Sequence, residues 1–545
     1  MGRPVGYSAL IARHSIPCVP LLRVAEISGA SRHVTTKVGH EIENFPTAYH
    51  PGERDTDHLL FALRYESLSL EVLRRALPHV DAKEITAGIF DKPTSKYVRR
   101  LWFLYEWLLN TALDVPDLTG RQGSYVPVCE PDKYFVHPGV RVRRQRVFNN
   151  LLGTRDWCPI VRKTQTLQDN RKKQLDRKAA SQIDNVDPAI LMRAVSFLYT
   201  KETRSSFLIE RERPGQEREE RFHTLLREAG RISSLEKSTL LDLQNAIVDE
   251  RFTATNYRDD NVYVGESISL VRERVHYVAP RSQDVPEMMQ ALLDFSARHV
   301  QTGQSLDPVV VAACLSFGFV FIHPFEDGNG RLHRFLIHYV LARTGFTPPA
   351  IILPVSASIL KDQAGYDTTL EAFSARVNRC VQYKLDSTTG KISIENETAD
   401  LYRYPDMTAQ AEALYGWIET AIERDLLDEI NIIERFDRAS ASLQAIVDLP
   451  DRLLHLFLRC TFHNAGNGYR LARKKRRLFA MLSDSELIAM EEAVAEAFSS
   501  ETWSSRASNE PPARTFGSKE TGLTEFDFSR PRVLMDNLKA EPKDR

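Results

Sequence analysis

The chain has 545 residues, with 72 Lys and Arg against 73 Asp and Glu, and six cysteines. That length allows two to four domains with ample core. A net charge of −1 gives no global field to draw the whole chain to nucleic acid or membrane. Cys18, Cys129, Cys158, Cys314, Cys380 and Cys460 form no C-x-x-C pair. Their scatter argues for reduced thiols and against a zinc site or a disulfide framework. The first residues, Met1 to Ser8, lack an apolar signal core, and the longest apolar run, 309–322, is too short and interrupted to span a bilayer. A cytoplasmic protein without membrane contact is expected.

Residues 1 to about 55 mix turn formers with β-branched residues such as Val34-Thr35-Thr36-Lys37-Val38, which predicts short strands or irregular structure. From Asp57 the apolar spacing becomes helical, and Tyr97 to Leu109 reads as an aromatic helix whose rings belong to a core. Short helices beside a strand pair would suit a winged-helix-like unit, although nothing marks a recognition helix. The basic clusters 141–146 and 171–173 are followed closely by acidic residues and are expected to be a solvated surface or linker. A domain boundary is placed near 165, closing an N-terminal mixed α/β domain, 1–165.

A helical linker is expected over 166–230. Within it, Ser206 and Glu210 stand four apart and share a helical face, with Ser205 offering a neighbouring register. Residues 219–250 read as helices. Tyr257 to Gly265 and Val275 to Pro280 then flank a polar tip, a β-hairpin signal in a helical region. Asp307 and Pro308 read as the cap and first position of a helix that must stop before Pro324. A second helix is predicted from near Arg331 to before Gly345.

Between those helices lies Phe321-Ile322-His323-Pro324-Phe325-Glu326-Asp327-Gly328-Asn329-Gly330-Arg331-Leu332-His333-Arg334. Gly328, Asn329 and Gly330 can present successive backbone N–H groups at a helix N-terminus, where the dipole favours an anion. Arg331 and Arg334 add two cations beside that nest, a combination suited to an oligophosphate. Asp327 offers the hard oxygen that magnesium prefers alongside phosphate. His323, with an ordinary pKa of about 6.5, suits proton removal from an attacking hydroxyl. His137-Pro138 and Gly466-Asn467-Gly468 repeat fragments of this string without its other parts and are read as decoys.

After Gly345, a helix through Tyr366, Leu370 and Phe373 is expected to close the core near 385. A C-terminal helical domain is expected over 386–502, with helices at 409–422, 430–445 and 453–462. Six of the eight residues from 470 to 477 are basic, and a charged helix face is the favoured reading over contact with DNA or an acidic partner. Residues 503–545 read as a disordered tail.

The string His-Pro-Phe-x-Asp-Gly-Asn-Gly-Arg-x-x-Arg, filled here at every position from His323 to Arg334, resembles the signature of the Fic domain family. The resemblance implies a mainly α fold over about 231–385. It would be a multi-helix Fic core with the hairpin as a flap over the motif, flanked by an N-terminal α+β domain and a C-terminal helical domain that a winged-helix arrangement would also fit. It implies a nucleotidyltransferase that moves AMP from ATP, with Mg2+, to a Ser, Thr or Tyr hydroxyl of a target protein. His323 would then be the general base, Asp327 the magnesium ligand, Gly328 to Gly330 the phosphate cradle, Arg331 the β-phosphate contact and Arg334 the γ-phosphate contact, while Phe325 anchors the loop. The helix of Ser206 and Glu210 resembles the family's inhibitory helix, whose glutamate pairs with the second motif arginine. Here Arg211 stands where the family has Gly or Asn. Intact signatures also accompany AMP removal and transfer of other phosphate-linked groups. A nucleotide-sensing regulator whose flanking helices contact DNA or a partner is the remaining alternative, and a homodimer is among the expected partners.

Overall fold

The computed structural model describes residues 2–498 apart from 30, 38–39, 121–122, 270–271, 302–305 and 387–388; the expected tail from 503 lies outside the described residues. It is mainly helical with four small sheets. The described residues fall into two compact units, one from residues up to 185 with 195–426, the other from 186–194 with those after 426. No described helix is long and apolar enough to cross a membrane.

The first 55 residues contain the expected strands, as a four-stranded sheet in which Arg23–Ile27 and His40–Phe45 pair in parallel at the centre. They also contain a helix, Tyr7–His14, which the sequence reading left out. Its local signal is weak, and burial of Tyr7 and Leu10 against the next helices supplies what propensity did not. The aromatic helix runs Lys96–Leu109 and buries Trp102, Phe103 and Tyr105. The basic cluster after it is no plain solvated linker. Val140–Val142 and Val147–Asn149 pair around a turn, and Arg144 folds back onto Glu106 at 3.1 Å and Asp117 at 2.7 Å. The acidic partner lies 38 residues upstream, beyond the reach of any local pattern.

Two helices carry the motif. The first, Pro308–Ile322, is capped by Asp307, whose Oδ1 accepts the amides of Val309 and Val310 at 3.1 and 3.2 Å. Gly318 admits the Trp157 ring at its surface, where a Cβ would meet Cζ2 at 2.5 Å. The second, Asn329–Arg343, starts two residues earlier than predicted. Its stripe of Leu332, Phe335, Leu336, Tyr339 and Val340 is buried, but so are Arg331, His333, Arg334 and His338 on the other faces. An amphipathic reading therefore understated its burial: neighbouring elements cover the helix on every side.

The hairpin pairs Tyr263–Ser269 with Arg272–Val278, and its tip at 270–271 lies outside the described residues. A second small pair, Tyr383–Leu385 with Ile392–Ile394, was not anticipated. In the other unit, Leu427–Ile446, Asp451–Phe462 and Asp484–Phe498 pack around Phe457, Phe479, Met490 and Val494, with no strand among its described residues. Of the basic run, Arg470, Arg473, Lys474, Lys475 and Arg477 are exposed, while Arg476 pairs with Glu491 at 3.2 Å.

Candidate active site

The first motif helix ends on His323 itself. This residue adopts the left-handed conformation, φ 53° and ψ 59°, and its N–H donates to Phe319 O at 2.9 Å. The ring then caps its own helix: Nδ1 lies 3.0 Å from Val320 O. A carbonyl only accepts, so Nδ1 carries the proton and Nε2 keeps its lone pair. Further along the same helix end, Phe321 O accepts the Tyr277 hydroxyl. Burial pushes the His323 pKa down to about 4, with Arg258 adding to the fall and the Val320 bond, Glu210 and Asp327 opposing it. The imidazole is therefore neutral at pH 7, with a basic nitrogen available.

The loop after His323 is braced from within. The Asn329 side chain accepts from Phe325 N at 3.1 Å and donates to Phe325 O at 2.7 Å. The Phe325 ring packs between Tyr257 and Phe319. Gly328 sits at φ 89°, and a Cβ there would lie 2.9 Å from Val248 Cγ1, so glycine is required twice over. Behind it, the amides of Asn329, Gly330 and Arg331 open a helix and have no intrahelical acceptor. Asp327 Oδ1 accepts from Gly328 N at 2.6 Å and Arg331 Nη2 at 2.8 Å. Its side chain remains 35% exposed. Among the described residues no group of three or more His, Cys, Asp or Glu is placed to hold a metal. One half-exposed carboxylate fits a magnesium ion whose remaining ligands are phosphate oxygens and water.

Both motif arginines are 1% exposed and both meet the end of one helix, Pro188–Ile209. Arg334 donates from Nε to Ser206 Oγ at 2.8 Å, from Nη2 to Ser206 O at 2.7 Å and from Nη1 to Glu210 Oε1 at 2.9 Å. The register that faces Arg334 is thus that of Ser206. A Cβ on Gly330 would lie 2.0 Å from Glu210 Oε1, so the carboxylate occupies the hollow that the missing side chain leaves. The structure brings His323, Phe325, Asp327, Gly328 to Gly330, Arg331, Arg334, Ser206 and Glu210 into one locale.

Residues 234–341 match the model of the Fic/DOC family. The chain contains a Fic/DOC domain. The segment from Ser206 to Glu210 lies outside the matched residues. The chain is 35% identical over 99 residues to the protein adenylyltransferase Fic of Nematostella vectensis, covering 18% of this chain and 20% of that one. A Fido domain-containing protein of Dictyostelium discoideum is 36% identical over 101 residues, covering 18% and 61%. The chain thus spans about a fifth of the length of the adenylyltransferases it matches. Among solved structures, a Fic domain-containing signaling protein of Bacteroides thetaiotaomicron aligns at 21% identity and TM-score 0.34, covering 48% of this chain and 96% of that one.

Several residues around the Fic/DOC motif escaped the sequence reading. Glu212, two past Glu210, takes Arg331 Nη1 at 3.1 Å and Arg218 Nη2 at 2.9 Å. The long helix ends in a Schellman arrangement, with Arg211 N donating to Leu208 O and Glu212 N to Phe207 O. Arg211 therefore occupies the left-handed position, φ 57°, which explains why Gly or Asn suits it. One turn before Ser206 on the same face, buried Glu202 holds His338 Nε2 at 2.7 Å and Ser356 N at 2.8 Å. The contacts 202 to 338 and 206 to 334 set the two helices antiparallel. Tyr366, its hydroxyl pushed up to about 12 by burial, sits beside Arg334 and Glu210. None of these contacts to Arg331, His338 and Arg334 had a local signal, because each partner lies on another segment of the chain.

Proposed function

We propose that this chain transfers AMP from Mg-ATP to a Ser, Thr or Tyr hydroxyl of a protein, and that its own Glu210 holds the site inhibited. The observation that carries this reading is the His323 ring: its Nδ1–H is fixed on Val320 O, so the basic Nε2 belongs to a loop that ends in an open helix N-terminus and two buried arginines. The hydroxyl oxygen attacks the α-phosphorus, its proton passes to His323 Nε2, and the bond to pyrophosphate breaks. Amides of the Gly328–Gly330 turn, Arg331 and Arg334 offset charge on the transferring and leaving phosphates. Magnesium, held by Asp327 and phosphate oxygens, would supply further neutralisation of the leaving group.

Inhibition follows from substitution of one anion for another. Glu210 fills the hollow at Gly330 and takes Arg334, which the γ-phosphate needs. Glu212 takes Arg331 in the same way. The negative end of the long helix and its two carboxylates thus meet the positive end of the arginine helix. The hairpin beside His323, with Val264 42% exposed, offers an edge to a target segment in the manner of strand addition.

The test gives wild type, Glu210→Gly and His323→Ala ATP labelled at the α- or the γ-phosphate, with cell lysate as bait. Protein label from the α position alone is expected, strongest in Glu210→Gly and lower by at least ~10²-fold in His323→Ala. Label from the γ position would mean phosphoryl transfer, and activity in His323→Ala at the parent rate would sink the base assignment. If no label transfers, AMP-modified proteins become the next substrates, since AMP removal uses the same groups.

A further inference from the structure

Arg258 is 5% exposed and has no carboxylate partner among its described contacts; every donor it uses goes to a backbone carbonyl. Its Nε donates to His323 O at 2.7 Å, Nη1 to Asp260 O at 2.8 Å and Nη2 to Pro280 O at 2.6 Å, while its own amide donates to Pro324 O at 2.9 Å. Asp260 precedes the first hairpin strand and Pro280 follows the second, so the guanidinium spans both roots of the hairpin. His323 and Pro324 are the two residues at which the motif loop leaves its helix. The left-handed backbone of His323 is strained at a non-glycine residue, and such strain is kept where the surroundings over-determine it.

We infer that Arg258 is the positioning residue of this site: one buried guanidinium locks the His323 backbone to the roots of the hairpin, so the base and the target-aligning strands are aimed as one body. This rests on the proposed AMP transfer, with His323 as base, for its kinetic consequence, but not for its structural one. Donors on three separate nitrogens held in one rigid plane are a property of guanidinium, which neither the single nitrogen of an ammonium nor an amide reproduces. Among the described residues, the Tyr277 hydroxyl reaches Phe321 O at the same helix end but only from the second strand, and other hairpin anchors bond no atom of His323. Asn378, for example, accepts from Val278 N at 3.0 Å and donates to His276 O at 2.6 Å, and so holds only the second strand.

The experiment compares Arg258→Lys, Arg258→Gln and, as a control, Asn378→Ala, each made in full-length Glu210→Gly protein. Imidazole 15N shifts of His323, assigned against His323→Asn, report the tautomer without need of activity. The parent and Asn378→Ala should show a single Nδ1–H tautomer, and the two Arg258 variants a mixture. In AMP transfer, the Arg258 variants should lose kcat by ~10–10²-fold, as expected for a misplaced catalytic group, with ATP Kd within ~2-fold of the parent. An unchanged tautomer with unchanged kcat overturns the inference. So does global unfolding of both Arg258 variants with no His323-specific change in the folded fraction, which would make Arg258 a core residue only. If the parent itself transfers no AMP, the functional reading fails, while the 15N shifts still decide the positioning role.

Discussion

Two helix ends meet at this site, and both stop on a non-glycine residue in the left-handed conformation: His323 at φ 53° and Arg211 at φ 57°. They are held in opposite ways. The His323 end is tied at its own amide, ring and carbonyl, and the next carbonyl is bonded as well. Arg211 is exposed, and the segment around it is held by two backbone bonds and the carboxylates on either side of it. Strain that is over-determined keeps a catalytic group still. The same strain with few ties favours release. Under the proposed function, the contrast teaches that the base is built to stay and the inhibitory segment to leave.

Three measurements can break or sharpen that contrast. The largest effect concerns pH. Since the His323 pKa lies near 4, the neutral base is present above that value. In Glu210→Gly protein, which also lacks a carboxylate that raised the pKa, kcat/KM should stay flat as pH falls from 8 to 5. An ordinary histidine base with a pKa of about 6.5 would lose roughly 30-fold at pH 5. An acid limb centred near 6.5 would show that the ring is loosely held and solvated in the working enzyme. Next, Glu212→Gln in otherwise wild-type protein should weaken the block on Arg331. Glu212 is one-third exposed and shared with Arg218, so about 1 kcal/mol is expected, a roughly fivefold rise in basal transfer. No rise would leave Glu210 as the sole inhibitory carboxylate. The smallest effect is Arg211→Gly. Glycine relieves left-handed strain of about 1–2 kcal/mol but costs about 0.5–1 kcal/mol in chain entropy, so a net gain of about 0.7 kcal/mol should tighten the block and lower basal transfer roughly threefold. Higher basal transfer would mean that flexibility, not strain, governs release.

Much of the site was legible because its parts are adjacent in the chain. Asp307-Pro308 fixes one helix start, Gly328 to Gly330 the next, and His323 to Arg334 fall in one loop and one turn, so spacing alone places them together. The pairing of Ser206 and Glu210 on one face was legible as well, though only the fold shows that Arg334 receives both. Arg258, Glu212 and Tyr366 were not, since their significance depends on partners 65, 119 and 32 residues away, such as His323 O, Arg331 and Arg334. The same limit hid the Arg144 contact with Glu106, which turned an apparent basic linker into part of a packed sheet.

The sequence by itself determined the chemistry of the loop, for a histidine, a carboxylate, a glycine turn and two arginines carry their donors, acceptors and conformational freedom wherever the turn forms. Tertiary structure decided how far burial lowers the His323 pKa, which carboxylates face the arginines, and that Arg258 ties the His323 carbonyl to the hairpin. Those outcomes depend on burial and on donors and acceptors brought from distant segments, and a hydrogen bond exists only once both of its ends have been placed.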